Sequence, residues 1–158
     1  MATITKSQYQ KRGFGDVPYG NLSHIATQLK TNASGAALES DTTAAIASGD
    51  KVKLVLLPAG MNLADYMMTV STAFTASVVA KIGFEYADGV DSAAVPQDDD
   101  YFGAAVAINT AGVYRKVTTT PPVTLPKDAW LILTTGGAAN AKAAQADIYV
   151  FGELTGNR

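Results

Sequence analysis

The stretch from Pro121 to Leu154, PPVTLPKDAWLILTTGGAANAKAAQADIYVFGEL, constrains the fold more than any other part of the chain. A proline-rich entry leads into a short apolar run, a Gly/Ala loop and a second run. In that second run Asp147, Tyr149, Phe151 and Glu153 alternate with Ile148, Val150, Gly152 and Leu154. Strand-forming residues dominate both runs and turn chemistry bounds them, so the segment predicts two strands, Ala129–Thr135 and Asp147–Glu153. The Ala138–Ala146 connection is read as one helical turn or a plain loop.

The same grammar recurs upstream. HIATQLKT places Ile25, Thr27 and Leu29 on one face and His24, Ala26, Gln28 and Lys30 on the other, a period of two. Ala36–Ile46 has a weaker strand pattern. KVKLVLL ends at Pro58-Ala59-Gly60, which fits a type I turn with proline second and glycine fourth. MNLADYMM has helical spacing, yet MTVSTAF continues as a strand, so a strand is expected from about Tyr66 to Phe74 with a bend before it. VVAKIGFEYA is the clearest strand, with Val78, Ala80, Ile82, Phe84 and Tyr86 on one side. A long loop is expected over 87–103, then strands at Ala104–Ile108 and Val113–Thr119. About eight strands with long crossing connections predict an all-β fold, a two-sheet antiparallel β-sandwich of the jelly-roll type. Its interior is expected to hold Val78, Ala80, Ile82, Phe84, Leu131, Leu133, Ile148 and Val150.

Residues 1–20 differ from the rest. Up to Gly15 their only charges are Lys6, Lys11 and Arg12, and Gly13, Gly15, Pro18 and Gly20 discourage both helix and ladder. The expected organisation is an extended N-terminal arm (1–20) and one β-sandwich domain (21–158). In the arm, Thr3, Ile4, Thr5, Lys6, Tyr9, Lys11 and Arg12 are the candidate partner-binding residues. The threonines, isoleucine and tyrosine favour extended structure, no proline blocks a ladder, and the cations suit an acidic rim. Such an arm is expected to be ordered by a neighbouring subunit and mobile in isolation. At 158 residues one domain buries roughly 68–70% of its unfolded surface, so no staple is required.

Composition narrows the chemistry. The chain has no cysteine and one histidine, which removes a disulfide framework, a thiolate metal site and a multi-histidine site. A net charge of −2 gives no general electrostatic case for nucleic acid. No window reaches the 18 apolar residues of a membrane span, and the N-terminus lacks an apolar signal region, so synthesis in a cytoplasm is expected. There is no GxSxG, P-loop or GxGxxG, and Gly13-Phe14-Gly15 is too short for a phosphate loop. Asp98-Asp99-Asp100, with Asp88 and Asp91 upstream, is acidic enough for calcium. It lacks the DxDxDG spacing, however, and reads as a solvated loop tip. His24 reads as a surface or interface residue of a strand, Trp130 as core, and Met61, Met67 and Met68 as core filling. No enzymatic activity and no cofactor are expected. Charged residues make up only 16% of the chain, against about 25% in ordinary soluble domains, a mild surface suited to lying against other proteins.

Three segments, KVKLVLLPAGMNL, VVAKIGFEYADG and PKDAWLILTTGGAANAKAAQADIYVFGEL, together resemble the head decoration, or cement, proteins of tailed bacteriophages. The likeness runs from Lys51 to Leu154 and is one of strand-and-turn order. It implies a non-enzymatic virion protein on the outer surface of the assembled capsid, binding the major capsid protein and clamping coat subunits. It also implies a homo-oligomer, a trimer with a dimer as the alternative. The competing reading is a carbohydrate-binding or adhesin-type β-sandwich module of a tail fibre or spike, which would need exposed aromatics along a groove.

Overall fold

The computed structural model describes residues 2–5, 22–116 and 119–154. Among the described residues ten strands run in chain order: β1 (Thr3–Thr5), β2 (Ser23–Lys30), β3 (Lys51–Leu57), β4 (Met61–Thr72), β5 (Val79–Tyr86), β6 (Asp98–Val106), β7 (Gly112–Arg115), β8 (Val123–Thr124), β9 (Ala129–Gly136) and β10 (Gln145–Leu154). They form two sheets. The first has the order β1-β3-β9-β5-β6; the second has β2-β10-β4-β7, with β8 also pairing to β4. Every described pairing is antiparallel except β1 with β3. The expected all-antiparallel arrangement therefore fails at one edge. No hairpin joins β1 to β3, because β2 of the other sheet lies between them in the chain, and that long connection permits parallel entry.

Alternation fixes which side of each strand is buried. Ala80, Ile82, Phe84 and Tyr86 of β5 and Leu131 and Leu133 of β9 meet Tyr66, Met68 and Val70 of β4 and Ile148 and Val150 of β10 in one core cluster. All eight residues expected in the interior belong to it. Rings fill its centre, with Phe84 edge-on to Tyr101 at 5.6 Å and Tyr101 edge-on to Phe102 at 4.7 Å, arrangements that suit the ring quadrupoles.

Several expectations need correcting. Residues 36–46 form no strand, only isolated bridges from Ala37 to Thr31 and from Ala36 to Ala45. Strand β4 begins at Met61 rather than Tyr66; the helical spacing of MNLADYMM gives way to pairing with β10. The turn after β3 is displaced by one residue. Met61 N–H donates to Pro58 O at 3.2 Å, and Gly60, third in that turn at φ +80°, supplies the left-handed residue that a type II turn requires. Met67 and Trp130 lie outside the core, on outward positions of β4 and β9, whereas Met61 and Met68 are buried.

The loop expected over 87–103 is shorter, because β6 begins at Asp98. Here the step from Ile82 to Phe84 on β5 faces the step from Gly103 to Asp98 on β6, so β6 bulges. Gly83 makes room for the bulge: a β-carbon there would fall 2.0 Å from the Asp98 carbonyl oxygen. Bulges are common on edge strands, where they re-aim side chains.

Candidate interaction surfaces

The two sheets present different outer faces. On the first, Lys51 and Lys53 of β3 both pair with Glu85 of β5, Lys53 at 3.3 Å, and Lys53 also lies 5.7 Å from the Trp130 ring centroid. Farther along β5, Lys81 pairs with Asp99 at 3.2 Å. This face is laced with ion pairs, those of Glu85 half-buried and that of Lys81 more open.

The second face is aromatic at its centre. Register places Tyr149 of β10 between Ala26 and Met67, and Phe151 between His24 and Asp65. His24 stands edge-on to Tyr149 at 5.7 Å and tilted to Phe151 at 6.0 Å. Arg115 of β7 lies 5.7 Å from the Phe151 centroid and 3.6 Å from Asp65, while Val113 beside it is 62% exposed. Gln28 donates to Asp147 at 2.6 Å, closing a polar border. Aromatic, Met and Arg side chains inside a polar rim are the composition of protein–protein contacts. Alternation in the sequence had already put Tyr149, Phe151 and Asp147 on one side, but pairing with β2 and β4 was needed to bring them to His24 and Met67.

The acidic residues are redistributed. Asp98, Asp99 and Asp100 open β6 instead of tipping a loop, with carboxylate oxygens within 4.8 Å of one another. A hydrogen bond with Asp98, together with burial and like charge, holds the Asp100 carboxyl above the usual carboxylate range. Lys81 supplies a cation to Asp99 at 3.2 Å. Asp91 is spent on its own loop, accepting from Ser92 N–H at 2.8 Å and Gln97 N–H at 2.7 Å. Asp88 pairs with Lys127 at 2.7 Å, and that hydrogen bond lowers its pKa.

Beside Asp98 a half-open cavity of about 190 Å³ is walled by Phe84, Val95, Pro96, Tyr101, Pro121 and Val123. Tyr101 is anchored there, its hydroxyl proton shared between the Leu63 and Pro121 carbonyl oxygens at 3.0 and 2.9 Å. Lys116 sits 4.1 Å from the Tyr101 ring centroid and donates to Thr120 O at 2.8 Å; desolvation lowers its pKa.

Of the arm residues, Thr3, Ile4 and Thr5 form β1, and Ile4 is 1% exposed within the core. These three residues are therefore not a loose terminus: β3 already supplies their ladder, and an apolar side chain anchors them. The outer edge of β1 is partly occupied, since Thr5 N–H donates to Asp41 Oδ1 and Asp41 N–H to Thr5 O, both at 3.1 Å. Lys6, Tyr9, Lys11 and Arg12 lie outside the described residues.

No protein-family model and no curated protein sequence matches this chain. Solved structures do. A chain from the capsid of Ralstonia phage GP4 superposes with a TM-score of 0.64 at 15% identity, covering 99% of this chain and 100% of that one. A chain from the capsid asymmetric unit of cyanophage Pam1 gives 0.56 at 12% identity, covering 89% of this chain and 88% of that one. A chain from the acidic stable capsid of Helicobacter pylori bacteriophage KHP30 gives 0.50 at 11% identity, covering 84% and 91%. The fold is shared with chains of phage capsid structures over most of its length.

Proposed function

We propose that this protein is a non-enzymatic component of a phage virion, a decoration or cement protein on the outer surface of the head, made in the host cytoplasm and assembled as a homotrimer. The observation carrying this reading is the near full-length fold match to a chain of a phage capsid. The same reading takes eight strands as a jelly roll. With β1 and β8 set aside, the first strand pairs with the last (β2 with β10), the second with the seventh (β3 with β9), the third with the sixth (β4 with β7) and the fourth with the fifth (β5 with β6). That nesting is the order of a rolled-up hairpin and supports the jelly-roll assignment.

The outer face of β2-β10-β4-β7 is the surface proposed to meet the major capsid protein. Its contrast with the ion-paired face of the other sheet supports the choice, because desolvating Tyr149, Phe151 and Met67 is favourable whereas stripping water from Lys51, Lys53 and Glu85 is costly. The test is co-sedimentation of the purified protein with undecorated heads of its phage, comparing wild type with Tyr149→Ser/Phe151→Ser. Saturable binding by the wild type, weakened at least about tenfold in the variant, is expected for anchors at the centre of an interface. No binding to heads, together with a defined signal on a glycan array, would replace this reading by the carbohydrate-binding one.

A further inference from the structure

We infer that the cavity beside Asp98 receives the basic Lys6–Phe14 stretch of a second copy of this chain. This rests on the reading of the protein as a self-associating virion component and supplies that association with a contact. The cavity joins two properties that select such a guest. Its walls are apolar and aromatic, from Phe84, Val95, Tyr101 and Pro121, and among the described residues Asp98 is the one charged residue of its lining. Asp99 and Asp100 follow in the chain, and the cation paired with them, Lys81, lies 3.2 and 4.0 Å away. Lys116, on the Tyr101 side, is committed to that ring and to the Thr120 carbonyl. A guest carrying a cation next to an aromatic ring satisfies both the carboxylate and the walls.

The stretch KSQYQKRGF has that chemistry, with Lys6, Lys11 and Arg12 interleaved with Tyr9 and Phe14 and no acidic residue before Asp16. Geometry favours a neighbour's cavity over the chain's own. Thr5 ends β1 at one edge of the first sheet, and the cavity borders β6 at the opposite edge. Four interstrand spacings separate the two edges, about 19 Å. The segment between Thr5 and Leu22 must go out and come back, so its midpoint reaches at most about 27 Å. Lys11, Arg12 and Phe14 fall near the middle of that segment in sequence, with Tyr9 four residues beyond Thr5. Crossing its own sheet would consume most of the reach. A neighbour whose β6 edge faces this β1 edge brings its cavity within range directly. Such a contact is heterologous, head to tail, and closes into a ring when the rotation between copies returns to the first.

The experiment is sedimentation velocity on the full chain at micromolar concentration and moderate salt, with circular dichroism to confirm folding. Four variants are compared with wild type: Lys11→Glu/Arg12→Glu, Asp98→Lys, the two reversals combined in one chain, and Asp98→Asn as the milder cavity change. The wild type is expected to sediment as a closed oligomer that added salt weakens. Each single-sided reversal should raise the dissociation constant at least about tenfold, and the combined variant should recover assembly. A monomeric wild type would overturn the inference, as would oligomers indifferent to the reversals or a combined variant no better than either alone. Tyr149→Ser/Phe151→Ser is expected to keep self-association while losing binding to heads, so failure of this contact and failure of the proposed function are read separately.

Discussion

Gly83→Ala isolates what holds the acidic end of β6 in place. The backbone of Gly83 is not left-handed, so the substitution strains nothing by itself; its cost is wholly the intruding methyl. That methyl would lie 2.0 Å from Asp98 O, 2.4 Å from Asp99 C and 2.7 Å from Asp99 O, where tolerated approaches exceed 3.0 Å. All three are backbone atoms, so no side chain can swing aside, and β6 must retreat by about 1 Å. Overpacking of this kind costs typically 1–3 kcal/mol, occasionally more. Loss of ladder bonds between β5 and β6 adds to it, while the lower entropy of the unfolded alanine chain returns about 0.4–1 kcal/mol. The expected net destabilisation is about 2–4 kcal/mol, or roughly 4–16 °C in Tm for a domain of this size. Gly89→Ala is the matched control. That glycine has φ +72° with nothing within 4 Å, so only left-handed strain of about 1–2 kcal/mol applies. Differential scanning calorimetry gives the two shifts, and amide hydrogen exchange locates the loss. A Gly83→Ala shift no larger than that of Gly89→Ala, with β6 amides still protected, would refute the backbone-clash argument.

Removing core volume should act elsewhere: Ile82→Ala or Phe84→Ala is expected to destabilise by roughly 2–5 kcal/mol in urea titration, since both side chains are at most 1% exposed. Tyr66→Phe should go the other way. The Tyr66 hydroxyl is buried with no hydrogen-bond partner among the described residues and burial raises its pKa to about 12, so deleting the oxygen should be neutral or stabilising by up to about 1–3 kcal/mol, read by the same titration. Asp100 gives a pH signature of opposite sign to an ordinary paired carboxylate. Its folded pKa is raised, so the folded state binds its proton more readily than the unfolded chain, and this residue's contribution to stability grows as pH falls through the raised value. Carboxyl-carbon NMR titration of Asp98→Asn should show the Asp100 pKa moving down toward the ordinary range, because the carboxyl–carboxylate hydrogen bond that raises it most is lost together with the like charge.

The sequence was legible where a period of two ran uninterrupted. Alternation places β2 and β10 within a residue or two, whereas β3, β5 and β9, with Leu54–Val55, Ile82–Phe84 and Leu131–Leu133 buried in succession, are legible as strand-forming runs bounded by turn residues. It misled where a long-range partner overruled local pattern. MNLADYMM reads as helix in isolation, yet β10 pairs along the whole of Met61–Val70 and fixes it as strand. Trp130 reads as core because it opens the apolar run WLILTT, although Leu131 and Leu133 claim the inward positions of β9 and leave Trp130 facing out beside Lys53. DDDYFG carries no alternation, and three like charges in a row argue against a strand on propensity. The bulge opposite Gly83 makes β6 possible, placing Tyr101, Phe102 and Gly103 inward in succession, and that depends on a contact between residues far apart in the chain.

The candidate surfaces follow the same division. Half of the aromatic face was written in one strand, as the odd positions Asp147, Tyr149, Phe151 and Glu153, but an outward tyrosine on a single strand is ordinary. It becomes a patch only when register sets Met67 and His24 on either side and brings Arg115 across from β7. The cavity left less trace still, because its walls come from β5, the 94–96 loop, β6 and the 120–123 segment, none of which announces a pocket alone. For a docking face of the kind proposed, the residues that matter are exposed polar and aromatic side chains free of any fixed spacing. Catalytic motifs have a spacing because chemistry demands one geometry; a docking face needs only area, shape and charge, which many spacings satisfy. Topology therefore carries the functional information here, and the contact-forming residues become visible once the strands are paired.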